Sequence, residues 1–473
     1  MGAGRQGVTA APELGGADGA STVEVLASYT SAAAHTPLPD DVVAKTVLHI
    51  LDTIAAAVSG RSLPAGRAGQ AFVESLGGTV GTGGDAGCTV LAATLRTSAP
   101  WAALANGMAA HADETDDSHA PSRTHPGCAV VPAALAMAEA RNRSGAELVR
   151  AVALGYDLCG RVPRALWPPE TIDRGERRVY STHAFGGLFG AAAAAGSLAG
   201  LTSHQCRYLF SYATQQASGI RSFFRERDHV EKGFVFGGMP AMNGTMSAAM
   251  VECGWTGVTD VFTGEPNFYS LAETPAPDVL TAGLGQDFEI LRTKFKKYPA
   301  GSPIQSPMDG LLTLLRDHQL PSEAVAGVTV SIPVERWKTV HARDMADINI
   351  DYLLDAALDD GSFTFAAAHD EDRFARWQQD ESAHRVKVLA DAALHGHSAA
   401  VELETTTGLR LRQFVADIPG SVENPMTAED VIDKARGLMT PVLGPQKTSN
   451  VVEQLLNLPQ LPDLTPVTTQ LST

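Results

Sequence analysis

Apolar residues in this chain keep two different periods, and the change between them near residue 320 limits the folds open to it. Before that point helical spacing dominates, and few stretches alternate. Pro39-Asp40-Asp41 opens a predicted helix that carries Val42, Val43, Val47, Leu48, Leu51 and Ile54 and stops at Gly60. Ser144-Gly145-Ala146-Glu147 has the capping-box pattern and starts another, through Leu148, Val152 and Leu158. Phe189 to Leu198 is mostly small residues, so that helix is expected to be buried all round and closely approached by its neighbours. Thr202 or Ser203 caps the next, through Tyr208 and Tyr212. Beyond residue 320 the period falls to two. Val328-Thr329-Val330-Ser331-Ile332 and Val386-Lys387-Val388-Leu389 alternate, and Val401-Glu402-Leu403 pairs with Leu409-Arg410-Leu411 across Thr407-Gly408. A small antiparallel sheet is expected there. Helical signals return at Thr427-Ala428-Glu429-Asp430, through Val431, Ile432 and Leu438, while the Pro- and Thr-rich stretch from Pro459 is expected to trail along the surface. The pattern is that of a helical domain interrupted by a smaller mixed one, with later helices returning to the first.

At 473 residues the chain is long enough for two domains, and 44% hydrophobic content is ample for packed interiors. Its 36 basic and 53 acidic residues give a net charge of −17, which argues against nucleic acid or an anionic membrane as partner. An anionic substrate then requires a pocket in which local Lys, Arg and His outweigh the global field. Cys88, Cys128, Cys159, Cys206 and Cys253 are widely spaced, with no CxxC pair, and read as reduced core residues of a cytoplasmic protein. The first twenty residues are rich in Gly and Ala without an apolar core segment, so they read as a loose tail rather than a signal peptide. No apolar run reaches eighteen residues, and no membrane span is expected.

The chemistry concentrates in His111-Ala112-Asp113-Glu114-Thr115-Asp116-Asp117-Ser118-His119, followed by Thr124-His125-Pro126-Gly127. Charge runs are usually solvated surface, which would explain the carboxylates alone. Interleaved histidines, leading straight into the apolar run from Cys128 to Met137, point instead to acid–base groups held where a loop meets buried helices. Lys232 stands among apolar and glycine residues (Gly233 to Pro240), where a lysine is costly unless it meets an anion. Arg221, Arg225, Arg227 and His229 add positive charge just before it. A second basic group, Lys294-Phe295-Lys296-Lys297-Tyr298-Pro299, sits where the period changes, and pockets favour domain junctions. On its own residues, His183 reads as a structural histidine before a buried helix. His111, Asp113, Glu114, Asp116, Asp117 and His119 could offer metal ligands, but there is no HExxH motif, and no metal is expected. No G-x-S-x-G elbow is present.

Taken together these stretches resemble the MmgE/PrpD family, which includes 2-methylcitrate dehydratases, cis-aconitate decarboxylases and iminodisuccinate epimerases. The resemblance runs from Leu51-Asp52-Thr53-Ile54-Ala55-Ala56 through Ala105-Asn106-Gly107, Thr124-His125-Pro126-Gly127 and Phe189-Gly190-Ala191-Ala192-Ala193-Ala194. It continues over the Lys232 segment to Phe295-Lys296-Lys297-Tyr298-Pro299-Ala300. It implies a mainly α fold with a smaller α+β lid domain: a large all-helical domain over residues 20–290, the lid over 291–423, and helices over 424–460 returning to the first domain. It also implies a homodimer without metal or organic cofactor, and a pocket whose lining falls here on Glu114, Ser118, His125, His183, Lys232 and Lys296. Trp337 stands where the family has a tyrosine, Glu114 where Asp is common and Ser118 where Thr is frequent. Altered substrate on shared chemistry is the simplest reading. The function implied is a lyase, a dehydratase or decarboxylase, acting on a small polycarboxylate through a carbanion beside a carboxylate. Lys232 and Lys296 would hold carboxylates, His125 would move the carbon-bound proton, and Glu114, Ser118 and the neighbouring Asp116 would orient or assist. An epimerase of the same family, or a catalytically silent binding homologue, are the alternatives.

Overall fold

The computed structural model describes residues 20–81, 87–169, 179–380, 382 and 384–472. The expected loose tail lies outside the described residues. The first domain begins with helices α1 (Thr22–Ala32), α2 (Asp40–Gly60) and α3 (Pro64–Ser75), then strands β1 (Thr79–Val80), β2 (Cys88–Val90) and β3 (Leu95–Thr97). Helices α4 (Ala99–Ala110), α5 (Pro126–Ala140), α6 (Gly145–Leu166), α7 (Thr182–Leu198) and α8 (Ser203–Gln216) follow. A short α9 (Val230–Gly233) runs through a π turn (Phe234–Gly238) into α10 (Met239–Glu252). The capping boxes at Ser144 and Thr202 form as the sequence predicts. The prediction of an all-helical first domain is corrected by the β1-β3-β2 sheet, whose strands of two or three residues are too short to show a period.

Helix α7 is the centre of this domain, packed against α5, α6 and α10. Every residue from Ala184 to Leu198 is buried, as expected for a helix of small side chains. The close approach is backbone to backbone: a Cβ built on Gly190 would stand 2.5 Å from the Gly155 carbonyl oxygen of α6. Among the described residues one helix, α2, is long and apolar enough to cross a membrane, but it is mostly buried within the protein.

The second domain has its own core, from Tyr298 to Leu403. It contains α11 (Ser302–Asp317), β4 (Val325–Pro333), α12 (Val334–Val340), α13 (Ile350–Asp360), α14 (Phe365–Ala368), α15 (Glu371–Gln379), β5 (Val386–Asp391), β6 (Ala399–Thr405) and β7 (Arg410–Val415). The sheet order is β5-β4-β6-β7. β6 and β7 pair as expected, with Leu403 opposite Leu411, but β4 and β5 run parallel, a correction to the all-antiparallel expectation. The connection between them carries four helices, long enough for a crossover. The chain then returns through α16 (Ala428–Leu443), which packs on α2, and α17 (Pro445–Leu456). The last segment does not trail along the surface. It forms α18 (Thr465–Leu471), which buries Val467 and Leu471, and the Leu471 carbonyl accepts from Ala92 N at 2.8 Å.

Candidate active site

The loop between α4 and α5 is buried, so its carboxylates are not a solvated run: His111 through His119 are all inaccessible. Each charged side chain therefore needs a partner, and the partners divide the loop into two groups. Asp113, Asp117 and His119 hold it in place. Asp117 accepts from Gly127 N (3.0 Å) and Tyr156 OH (2.6 Å), with His49 Nδ1 at 2.9 Å. His119 Nε2 meets Glu289 at 3.0 Å and its Nδ1 meets Ser122 Oγ at 2.6 Å. Asp113 accepts from Thr115 N and Oγ1, with His369 of the lid 3.4 Å away.

Glu114 and Asp116 face the other way, into a cluster built from both domains. Asp116 accepts from His125 Nδ1 and from His111 Nδ1, each at 2.9 Å, and its Oδ1 lies 3.4 Å from Lys296 Nζ. Burial would raise this carboxyl, but His111, His125 and Lys296 hold it well below the usual range. An ionised carboxylate only accepts, so both imidazoles present a proton at Nδ1. That leaves Nε2 of each as its remaining functional atom; His111 Nε2 is buried without a partner among the described residues. Burial pushes the His111 imidazole down to about 3, so it rests neutral.

Glu114 is gripped by both lysines. Lys232 Nζ bonds its Oε1, and Lys296 Nζ reaches Oε2 (3.2 Å) and the Glu114 carbonyl (2.8 Å). Burial opposes, but the two ammonium groups keep Glu114 well below the usual carboxylate range. Lys296 is fully buried; burial would lower it, yet Glu114 and Asp116 raise it. The two lysines are thus matched by two carboxylates.

The histidines lean on one ring. Phe236 stacks on His183 at 3.6 Å between centroids and on His111 at 4.5 Å, with His125 at 5.6 Å and Lys232 Nζ at 5.4 Å. Phe223 meets the same ring edge-on at 4.9 Å. His183 lies 5.0 Å from His125 between centroids, and burial keeps it well below the ordinary imidazole range, hence neutral. The π turn that carries Phe236 presses on α4 through Gly107 and Gly237, where a Cβ on Gly237 would stand 2.1 Å from the Gly107 carbonyl oxygen. Phe236 was absent from the expected set, although it follows Lys232 by one helical turn.

Of the expected site residues, the structure brings together Glu114, Asp116, His125, His183, Lys232 and Lys296. Ser118 borders them: its backbone exchanges two hydrogen bonds with Lys294, each 3.0 Å. Among the described residues, no hydrogen bond or ring contact brings Trp337 to the cluster. Its indole N–H donates to Val388 O (3.3 Å) and its ring stacks on His341 at 4.2 Å, both within the lid. Two residues outside the expected set brace the site. Lys434 of α16 bonds the Thr115 carbonyl (2.8 Å) and Asp52 (2.7 Å), and His229, 5.3 Å from His111, pairs with Asp347 of the lid at 3.3 Å.

Two sets could hold a metal ion by proximity, His111–Asp116–Cys128 and His111–Glu114–His229, each with donor atoms within 4.8 Å. In both, donors are already engaged: His111 Nδ1 with Asp116, and Glu114 with the lysines. Burial pushes the Cys128 thiol well above its ordinary range, which disfavours the thiolate a metal would need.

Several known proteins are similar to this chain over most of its length. A cis-aconitate decarboxylase of Aspergillus terreus (strain NIH 2624 / FGSC A1156) is 24% identical across 91% of each chain. The human cis-aconitate decarboxylase is 24% identical across 92% of this chain and 91% of its own. A cis-aconitate decarboxylase-like protein of Aspergillus oryzae is 24% identical across 89% of this chain and 91% of its own. The MmgE/PrpD N-terminal domain matches residues 24–278 and the MmgE/PrpD C-terminal domain residues 298–458, so the chain belongs to the MmgE/PrpD family.

Proposed function

We propose that this protein is a lyase that removes CO2 from a small unsaturated polycarboxylate of the cis-aconitate type, with no metal or organic cofactor. The observation that carries the reading is the Asp116–His125 pair. It fixes a proton on Nδ1 and leaves Nε2 without a protein partner among the described residues, beside two ammonium groups. That supplies a proton donor and a charge sink from side chains alone. In the reaction, the bond between the leaving carboxylate and its carbon breaks. The electron pair moves onto that carbon and spreads toward a remaining carboxylate, where Lys232 or Lys296 stabilises it. The His125 imidazolium, supported by Asp116, delivers its Nε2 proton to carbon, CO2 departs, and solvent reprotonates His125. Glu114 holds both ammonium groups in position until a substrate carboxylate takes over one of them. The names of the relatives favour decarboxylation over loss of water, which would use the same carbanion with His125 as base.

The test is proton NMR of the protein in D2O with cis-aconitate, methylcitrate, citrate and iminodisuccinate, each with and without a chelator. Consumption of cis-aconitate with deuterium entering at carbon, unaffected by chelator, is expected. Conversion of methylcitrate or iminodisuccinate instead would reassign the reaction to dehydration or epimerisation, and no change in any acid would overturn the enzymatic reading.

A further inference from the structure

With Lys232 and Lys296 both matched by carboxylates, a third lysine beside the site stands unmatched. Ser118 and Lys294 form a directly opposed antiparallel pair, exchanging both backbone hydrogen bonds at 3.0 Å. Opposed residues of such a pair project their side chains on the same face. Two residues further along each strand, Asp116 faces Lys296, and their 3.4 Å contact shows that the face continues into the catalytic cluster. The inner rung is charge-matched, while the outer rung sets a lysine opposite a serine.

Lys294 is only 6% exposed, and among the described residues no hydrogen bond or ion pair reaches its ammonium group. A buried ammonium without a counter-ion is costly. Burial, with Lys296 and Arg336 adding repulsion, pushes it down to about 8; the exposed Glu423 offsets this in part. The lid adds two more groups. Arg336 of α12 donates Nε to the Gly396 carbonyl (3.0 Å), and neither Nη has a protein partner among the described residues. The next residue along, His397, has its Nδ1 buried without a partner among the described residues, and Lys294 and Arg336 are the cations that press on its ring.

We propose that Lys294, Arg336 and His397 form an anion subsite next to Ser118 that holds a further carboxylate of the substrate, making the protein selective for tricarboxylates over dicarboxylates. This rests on the polycarboxylate reading above and extends it. The lysine pair at Glu114 serves the reacting end, and Lys294 with the two lid groups serves the far end of an acid that carries the extra charge.

Calorimetric titration of the full chain with tricarballylate and glutarate tests it, since these acids share a carbon chain and differ by one carboxylate. The wild type should bind tricarballylate roughly 10- to 100-fold more tightly, the range of a hydrogen bond to a charged group. Lys294→Gln should bring the two acids within about threefold by weakening tricarballylate alone, and Lys294→Arg should restore the preference. Arg336→Gln, at a less buried position, should shift it in the same direction and carries the test should Lys294→Gln fail to fold. Equal affinity of the wild type for the two acids, or equal weakening of both by Lys294→Gln, overturns the subsite. Binding of neither acid by the wild type would fell the polycarboxylate reading, and the subsite with it.

Discussion

Replacing Asp116 by asparagine separates a carboxylate that sets the chemistry of His125 from one that only fills space. Asp116 accepts from His125 and His111 at 2.9 Å each and faces Lys296 at 3.4 Å, with no exposure to solvent. An amide of the same shape offers one accepting oxygen and an NH2 group. Whichever way it turns, one imidazole meets an N–H and must move its own proton to Nε2. A charge-assisted hydrogen bond to an imidazolium is worth about 1.5–3 kcal/mol, or roughly 10- to 150-fold in rate. Inversion of the tautomer adds to this, and the same carboxylate-to-amide change in a serine-protease triad costs ≈ 10⁴. kcat for Asp116→Asn should therefore fall by roughly 10²–10⁴. KM should hold within about threefold, because Lys232 and Lys296 keep Glu114. Turnover would be followed by NMR as above, with thermal melting to confirm the fold. A correctly folded variant with kcat within about threefold of wild type would refute the assignment of Asp116 and His125 as a working pair.

Three further outcomes are expected. Gly190→Ala should cost about 1–3 kcal/mol, since its Cβ would meet the Gly155 carbonyl oxygen at 2.5 Å and neither backbone can yield; an unchanged denaturation midpoint would refute this. Burial opposes, but His119, Arg164 and Arg292 hold Glu289 at about 2, below its ordinary 4.5. The unfolded chain therefore takes up that proton first on acidification, and stability present above pH 4.5 is lost as pH falls toward 2. Glu289→Gln should unfold in acid with about one proton fewer taken up, and an unchanged proton count would count against the His119–Glu289 pair. The lid meets the first domain through His229–Asp347 and His369–Asp113. Replacing both histidines by alanine should speed amide exchange over residues 341–350 and raise KM several-fold; exchange at the wild-type rate would show that these pairs do not hold the lid.

Much of the fold was legible because its signals are local. Ser144, Thr202 and Thr427 each announce a helix start within four residues, and the pairing of β6 with β7 follows from alternation on either side of Thr407-Gly408. The misses have equally physical causes. Strands of two or three residues leave no period, and strand direction between β4 and β5 depends on a crossover rather than on either strand. The last helix hides behind Pro and Thr because its burial rests on Val467, Thr468 and Leu471, all within about one turn. In the site, interleaved histidines distinguished a buried acid–base loop from a wet acidic run. Which carboxylates would be working groups and which would be struts was not legible, since Asp116 and Asp117 are adjacent yet Asp116 meets His111, His125 and Lys296 while Asp117 meets His49, Gly127 and Tyr156 of three helices. Lys434 has no local signal at all: the carbonyl it braces belongs to Thr115, more than three hundred residues earlier.

That brace bears on how the protein comes into being. The loop that carries Glu114 and Asp116 is made early in synthesis, and the lid follows it, but the ammonium group that neutralises Asp52 and tethers the Thr115 backbone arrives only with α16. A nascent chain paused before residue 428 holds every residue of the acid–base cluster and still lacks the clamp that keeps their loop in register. The loop is therefore fully tethered only once the segment beyond the lid has been made and has packed back onto α2.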